Sequence, residues 1–375
     1  MLNIAHITDH YSAASGGVAA VIKQLSCSLS SYCDCTEILC VRGNPIPPGP
    51  KVHVLNITPL WWAKPWGWNP EIKRHILSLV SRDPKMIFHI HGLWMAPQWI
   101  TAWTLKSNQK PFLLSPHNMM DEWLWCRNGP WGSLKKNLYW NACSDLFRAA
   151  KVVHAITPRE RDRLRKFFPD SRIEVIPNVI DLSSVEHGPE ISDGEPEPYL
   201  LFLSRIHPGK GLELLIRAFS QARLGARWRL VIAGPMASKA YEKEIRDLVR
   251  GSGSHQQIDL IGPLFGKEKW SLLRRAWAVV LPSSTEVISM VNLEAGACST
   301  PSITSRETGL DDWEQGGGIL TPLDADSLAK ILHNVCNWIL SERIERGRSS
   351  RRLVEQRYSW KTVEPKWLEL YRSIG

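Results

Sequence analysis

Short apolar runs alternate along this chain with segments whose apolar residues recur every three or four positions. The runs at 3–8, 36–41, 52–57, 86–91, 111–115, 152–157 and 173–177 predict strands. The periodic segments at 18–30, 70–81, 96–107, 133–149 and 159–168 predict helices. After a break the alternation resumes, with strands at 199–204, 229–233, 258–261, 278–282 and 302–305, helices between them and one more at 326–340. Strands alternating with helices predict parallel α/β sheets. The break itself is polar, acidic and rich in Pro and Gly, the composition of a linker.

The expected organisation is therefore an N-terminal Rossmann-like domain over 1–183, a linker over 184–198 and a second Rossmann-like domain over 199–348. A basic helical tail over 349–375, with Trp360 and Trp367, is expected to pack back on the first domain. Two such doubly wound α/β domains would face a central cleft at the carboxyl ends of their strands, where ligands bind in this architecture. The length of 375 residues suits two domains.

Composition adds two points. With 43% hydrophobic and 22% charged residues, the chain reads as soluble and globular. It opens as a strand rather than a secretory leader, and no apolar run is long enough to span a bilayer. A cytoplasmic protein is expected, with its eight cysteines reduced and packed rather than bridged or metal-binding. The net charge of +9 sits almost wholly in the first half, where Lys and Arg outnumber Asp and Glu by 21 to 13 over residues 1–185. Tryptophan is biased the same way, and Trp61, Trp62, Trp66 and Trp68 crowd one Pro-containing loop. Such a loop suits a membrane–water interface, a sugar-stacking acceptor site, or plain aromatic packing.

The candidate chemistry begins with Glu286 and Glu294, which flank the segment between the strand at 278–282 and the next helix. Helix N-termini present unpaired N–H groups, so the amides of this segment, including those of Ile288, Ser289, Met290 and Val291, suit a pyrophosphate. A carboxylate on either side can accept hydrogen bonds from sugar hydroxyls. Together these fit a nucleotide-sugar. The strand at 199–204 runs into Arg205, His207, Gly209, Lys210 and Gly211, a second anion site: glycines for close approach, Arg for a bidentate grip, Lys as a point charge. In the first half, Gly16 and Gly17 follow the first strand and open a helix, either as a phosphate or sugar cradle or as a tight turn. His91 and His117 each end a predicted strand and so face the expected cleft.

These motifs resemble the retaining nucleotide-sugar glycosyltransferases of the large family 4, which have the GT-B fold. The matching residues are Ile176-Pro-Asn178, Asp181, Ser204-Arg205 through Gly209-Lys210-Gly211, Gly234-Pro235, and Leu281 through Glu286 to Glu294, with Pro301 after it. The first half is similar more loosely, through Gly16-Gly17, His91-Gly-Leu-Trp94 and Ser115-Pro-His117. The resemblance implies that Arg205 and Lys210 hold the donor diphosphate, Glu286 contacts the donor sugar, Glu294 the ribose, and His117 the sugar from the other domain. The family's Gly and aromatic after the first Glu are here Val287, Ile288 and Ser289. The implied reaction is transfer of a hexose from a nucleoside-diphosphate sugar to a lipid-linked or oligosaccharide acceptor in cell-surface polysaccharide or lipopolysaccharide synthesis. No cofactor or metal is expected, because no Asp-x-Asp pair occurs at a plausible site. The partners expected are the donor, the acceptor and an anionic membrane surface at the inner face of the plasma membrane. A sugar-nucleotide 2-epimerase of the same fold is the alternative. Nucleic acid is not expected, since no recognition motif accompanies the basic charge.

Overall fold

The computed structural model describes residues 1–12, 17–46, 49–121, 125, 129–186 and 197–375. These form two compact units: Met1–Pro177 with Val363–Gly375, and Asn178–Thr362.

In the first unit the elements run β1 (Leu2–Ile7), α1 (Gly17–Ser28), β2 (Cys33–Cys40), β3 (Val52–Asn56), α2 (Pro70–Arg82), β4 (Ile87–His91), α3 (Ala96–Ser107), β5 (Phe112–Ser115), α4 (Gly129–Phe147), β6 (Val152–Ala155), α5 (Pro158–Leu164) and β7 (Ile173–Val175). All seven strands are parallel, in the order β3-β2-β1-β4-β5-β6-β7. Local chemistry sets the helix starts. Asn69 accepts the Glu71 N–H ahead of α2, Thr157 accepts the Glu160 N–H ahead of α5, and Pro occupies the first turn of both. Ile72, Ile76 and Leu79 line one face of α2 and meet Phe88, Ile90, Phe112 and Leu114 from the sheet. Each such side chain contributes roughly 1.5–3 kcal/mol on burial.

In the second unit, α6 (Leu182–Glu186) precedes β8 (Glu197–Leu203), α7 (Leu212–Gln221), β9 (Arg229–Ala233), α8 (Lys239–Gly251), β10 (Ile258–Gly262), α9 (Gly266–Arg275), β11 (Ala276–Leu281), α10 (Met290–Ala297), β12 (Ser302–Ser305), β13 (Ile319–Thr321), α11 (Ala325–Cys336) and α12 (Leu340–Arg357). The sheet is again all parallel, ordered β10-β9-β8-β11-β12-β13. The last helix, α13 (Trp360–Arg372), lies mainly in the first unit. There Trp367 stacks against Tyr371 and His154, and Glu364 accepts from the Tyr32 hydroxyl.

Two boundaries and one strand differ from the sequence reading. The first unit ends at Pro177, not 183, because the Ile180 N–H donates to Tyr358 O and ties that segment to the second unit. The tail divides after Thr362 rather than at 349, which falls inside α12. Strand β13, Ile319–Thr321, has only two apolar residues, Ile319 and Leu320, after Gly318, and was not expected. Of the expected linker, 187–196 lies outside the described residues.

Candidate functional site

In the second unit, β8 and β11 are neighbours, so the turns that follow them meet. Two glycines make this possible. Gly211 has φ +72, and a Cβ there would lie 2.0 Å from the Pro282 carbonyl oxygen. Gly234, after β9, would place a Cβ 1.7 Å from Ser204 O. Only glycine tolerates such approach. The turns are then joined by Ser284 N–H donating to Gly209 O at 3.0 Å.

This brings Lys210 to Glu286. Their charged atoms form a short ion pair, both side chains are mostly buried, and the Ser283 hydroxyl donates to the same Glu286 oxygen at 3.4 Å. Arg205 is exposed and forms no ion pair among the described residues. The sequence gives Lys210 and Glu286 separate ligands; the structure makes them one charge-paired unit. A part-buried carboxylate beside an ammonium is held in place by that partner, so an arriving diphosphate would share Lys210 with Glu286 rather than meet a bare cation.

Glu294, on α10, is paired as well: Lys269 Nζ reaches its Oε1 at 2.9 Å and lies 4.2 Å over the Trp270 ring. Lys269 is not marked by the sequence. It sits on α9, 25 residues before its partner, with no local pattern to mark it. The amide segment departs from expectation at two positions. Ser289 N–H donates to Thr308 O and Glu286 N–H to Glu307 O, each at 3.0 Å, so these two are committed to the neighbouring loop. Ile288 and Ser289 are buried. Met290 and Val291, in the first turn of α10, keep the geometry of a helix N-terminus.

In the first unit, Gly16 lies outside the described residues, and Gly17 starts α1 with open space around it. His91, expected to face the cleft, is 1% exposed, because His89 and His91 share one face of β4 and register sets His6 of β1 beside them. The rings form two hydrogen-bonded chains. One runs His6 Nδ1 to His91 Nε2 at 2.9 Å and His91 Nδ1 to His117 Nε2 at 2.9 Å. The other runs Tyr371, His89, Ser115, His154, Ile176 O, with steps of 2.7–2.9 Å. A carbonyl only accepts, so His154 donates through Nε2, and each link upstream is fixed in the same sense. Desolvation pushes His6 and His117 down to about 3 and His154 to about 4, and holds His89 and His91 well below the usual range. These imidazoles are neutral. His6, His89 and His91 bring ring nitrogens within 4.8 Å of one another, a spacing a metal could use, but both nitrogens of His89 and of His91 are already engaged.

His117 is only partly exposed and left-handed, φ 52, as is Asn118, φ 60. Each costs roughly 1–2 kcal/mol for a non-glycine. The buried Glu160 holds them: its carboxylate accepts the Asn118 N–H at 2.6 Å and the Ile156 N–H at 2.7 Å. Arg163 then bonds Asn118 Oδ1 and Asp121. The helix α5 thus turns one of its arginines, Arg163, inward.

The tryptophan loop is a 3-10 turn, Trp61–Trp66, with Trp61 88%, Trp62 60% and Trp66 57% exposed. Trp68 is partly buried and packs on the Trp62 ring. A second exposed apolar stripe, Trp131, Leu134 and Leu138 on α4, has Lys135 beside it. Among the described residues, no helix is long and apolar enough to cross a membrane. A groove of about 610 Å³ lies at the opposite ends of β8–β10, where Arg229 pairs with Asp259 and Arg275 with Glu197.

Residues 15–184 match the family model described as Glycosyltransferase Family 4, and residues 188–346 match that described as Glycosyl transferases group 1. Both halves carry glycosyltransferase domains. Among curated relatives, the D-inositol 3-phosphate glycosyltransferase of Kineococcus radiotolerans is 28% identical over 60% of this chain and 57% of its own length. The lipopolysaccharide 1,2-N-acetylglucosaminetransferase of Salmonella typhimurium is 26% identical over 54% and 56%. The matches thus span little more than half of those relatives. Solved structures of the same fold include sucrose-phosphate synthase of Thermosynechococcus elongatus, TM-score 0.78 at 19% identity over 100% of this chain and 99% of that one. HepE of Anabaena, in complex with UDP and glucose, has TM-score 0.76 at 16% identity over the whole of both chains. The glycosyltransferase fold is GT-B, two Rossmann-like domains. In this GT-B chain the Lys210–Glu286 pair and Arg205 stand at the strand ends of the second domain.

Proposed function

We propose that this chain is a retaining glycosyltransferase that moves a hexose from a nucleoside-diphosphate sugar to a saccharide or lipid-linked acceptor, in the assembly of a cell-surface polysaccharide. The observation that carries the reading is the meeting of the β8 and β11 turns, which sets Arg205 and the Lys210–Glu286 pair together. In the proposed reaction the bond between the anomeric carbon and the diphosphate oxygen breaks, and the electron pair leaves with the diphosphate. Arg205, Lys210 and the first amides of α10 stabilise that charge as it develops. An acceptor hydroxyl oxygen forms the new bond on the same face, and its proton leaves with the phosphate. Glu286 contacts the donor sugar, Glu294 the ribose, and His117 the sugar. Support for a nucleotide-sugar comes from HepE, which is seen with UDP and with UDP-glucose. We also propose that the first domain rests on an anionic membrane through Trp61, Trp62 and Trp66, placing the enzyme at the inner face of the plasma membrane.

A thermal-shift panel of nucleotide-sugars, beginning with UDP-sugars, tests the donor assignment, since a ligand bound only by the folded state raises Tm. A ligand present at a hundred times its Kd should stabilise by about 2.7 kcal/mol. No shift with any nucleotide-sugar would end the reading.

A further inference from the structure

The proposed function uses His117 but leaves unexplained why four more histidines and a buried glutamate are gathered behind it. The His6–His91–His117 chain has two hydrogen bonds and three neutral rings, each with one donor and one acceptor nitrogen. Its bonds can point only one way at a time. If His6 Nδ1 donates to His91, then His91 Nδ1 donates to His117 Nε2, and the remaining His117 nitrogen, Nδ1, carries hydrogen. If His117 Nε2 donates instead, the whole chain reverses, and His117 Nδ1 becomes a bare acceptor. The far end, His6, is 1% exposed, lies on β1 and contacts His117 only through His91. The second chain, ending on the Ile176 carbonyl, shares no hydrogen bond with the first, although His89 lies 3.9 Å from His91 ring to ring. The backbone from which His117 projects is held separately by Glu160.

We propose that His91 and His6 are positioning residues for His117: the three-imidazole chain sets which ring nitrogen of His117 carries hydrogen, and so whether His117 offers or accepts a hydrogen bond at its partly exposed edge. This rests on the reading that His117 meets the transferred sugar. The buried polar rings then have a use beyond packing, because a bond direction fixed at His6 is transmitted two residues outward without any ring becoming charged.

Full-length protein labelled with ¹⁵N-histidine reports tautomers directly through the ring-nitrogen shifts, with His117→Gln identifying the His117 signals. The parent should show a single His117 tautomer. His6→Leu should reverse or mix it and lower kcat roughly tenfold, with little change in KM for the donor. His6→Asn, whose amide overlays Nδ1, should restore both. His6→Gln keeps the polar volume, places its amide nearer Nε2, and should behave like His6→Leu, which covers the case in which His6→Leu does not fold. Ser115→Ala breaks the other chain and should leave the His117 tautomer as in the parent. An unchanged His117 tautomer in folded His6→Gln or His6→Leu would overturn the proposal, as would an equal change in Ser115→Ala. His117→Ala separates the two readings. If it keeps full transfer while the tautomer follows His6, the sugar assignment fails and the coupling stands. If it loses transfer while the tautomer ignores His6, the coupling alone fails.

Discussion

At the scale of residues, the site is a matter of which charges are already satisfied. Lys210 is paired with Glu286 and Glu294 with Lys269, whereas Arg205 is unpaired among the described residues. Arg205 and Lys210 should therefore fail differently. Arg205→Ala removes a cation that nothing else in the described structure uses, so diphosphate affinity should fall with little loss of stability. Lys210→Ala also leaves Glu286 mostly buried without its cation, and should lower both donor binding and Tm. Each should reduce turnover about 10²–10³-fold, the usual loss for one group that stabilises developing charge. Glu286→Ala should abolish transfer while the protein stays folded. Calorimetry with the nucleoside diphosphate beside steady-state rates checks all three, and diphosphate binding at parental strength in both cation variants would refute the anion site. Arg205, Lys210, Glu286 and Glu294 were legible in the sequence because a strand end, glycines and charges lie close together there. Lys269, Glu160 and His6 were not, because the contacts that bring them to the site, with Glu294, Asn118 and His91, cross tens of residues. His6 and His89 carried one faint signal, polar residues inside otherwise apolar strands.

At the scale of elements, twelve of the thirteen strands among the described residues coincide with apolar runs in the sequence. The thirteenth, β13, offers only the apolar pair Ile319 and Leu320 after a run of glycines. What the pattern does not reveal is how close two turns come. Gly211 is the test. With φ +72 and a carbonyl 2.0 Å from where its Cβ would stand, Gly211→Ala meets both left-handed strain and overpacking. These cost about 1–2 and 1–3 kcal/mol respectively. The variant should lose stability in urea by an amount of that order. It should also weaken donor binding by more than a substitution such as Gly225→Ala, where a Cβ meets nothing within 4 Å. Equal donor affinity in the two variants would show that the site does not depend on the meeting of the β8 and β11 turns.

At the scale of the whole molecule, the first unit carries five histidines held neutral by burial, and this makes its stability a function of pH. Their folded pKa values lie below the ordinary 6.5, at about 3 for His6 and His117 and about 4 for His154. Above pH 6.5 both folded and unfolded chains leave them neutral, and nothing is lost. Below it the unfolded chain takes up protons that the folded chain refuses, so stability falls as pH drops from about 6.5 towards 4. Each histidine contributes up to about 1.4 kcal/mol per pH unit in that window. Tm should therefore drop steeply between pH 7 and pH 5, and His154→Gln should flatten that slope even though it lowers Tm at pH 7.5. A pH-independent Tm across this range would contradict the neutral network. The proposed membrane contact belongs to the same unit and yields to a different variable. Trp61, Trp62 and Trp66 project from a turn in which Lys64 is the cation, whereas Arg163 of α5 is paired with Asp121. Each exposed Lys or Arg near an anionic surface contributes about 1 kcal/mol, screened by salt. With fewer free cations than the composition promises, the tryptophans must supply more of the binding. In liposome flotation, replacing Trp61, Trp62 and Trp66 together by Ala should lower recovery on anionic vesicles more than 0.5 M salt does. Equal recovery of parent and triple variant at both salt concentrations would remove the tryptophan turn as the membrane contact.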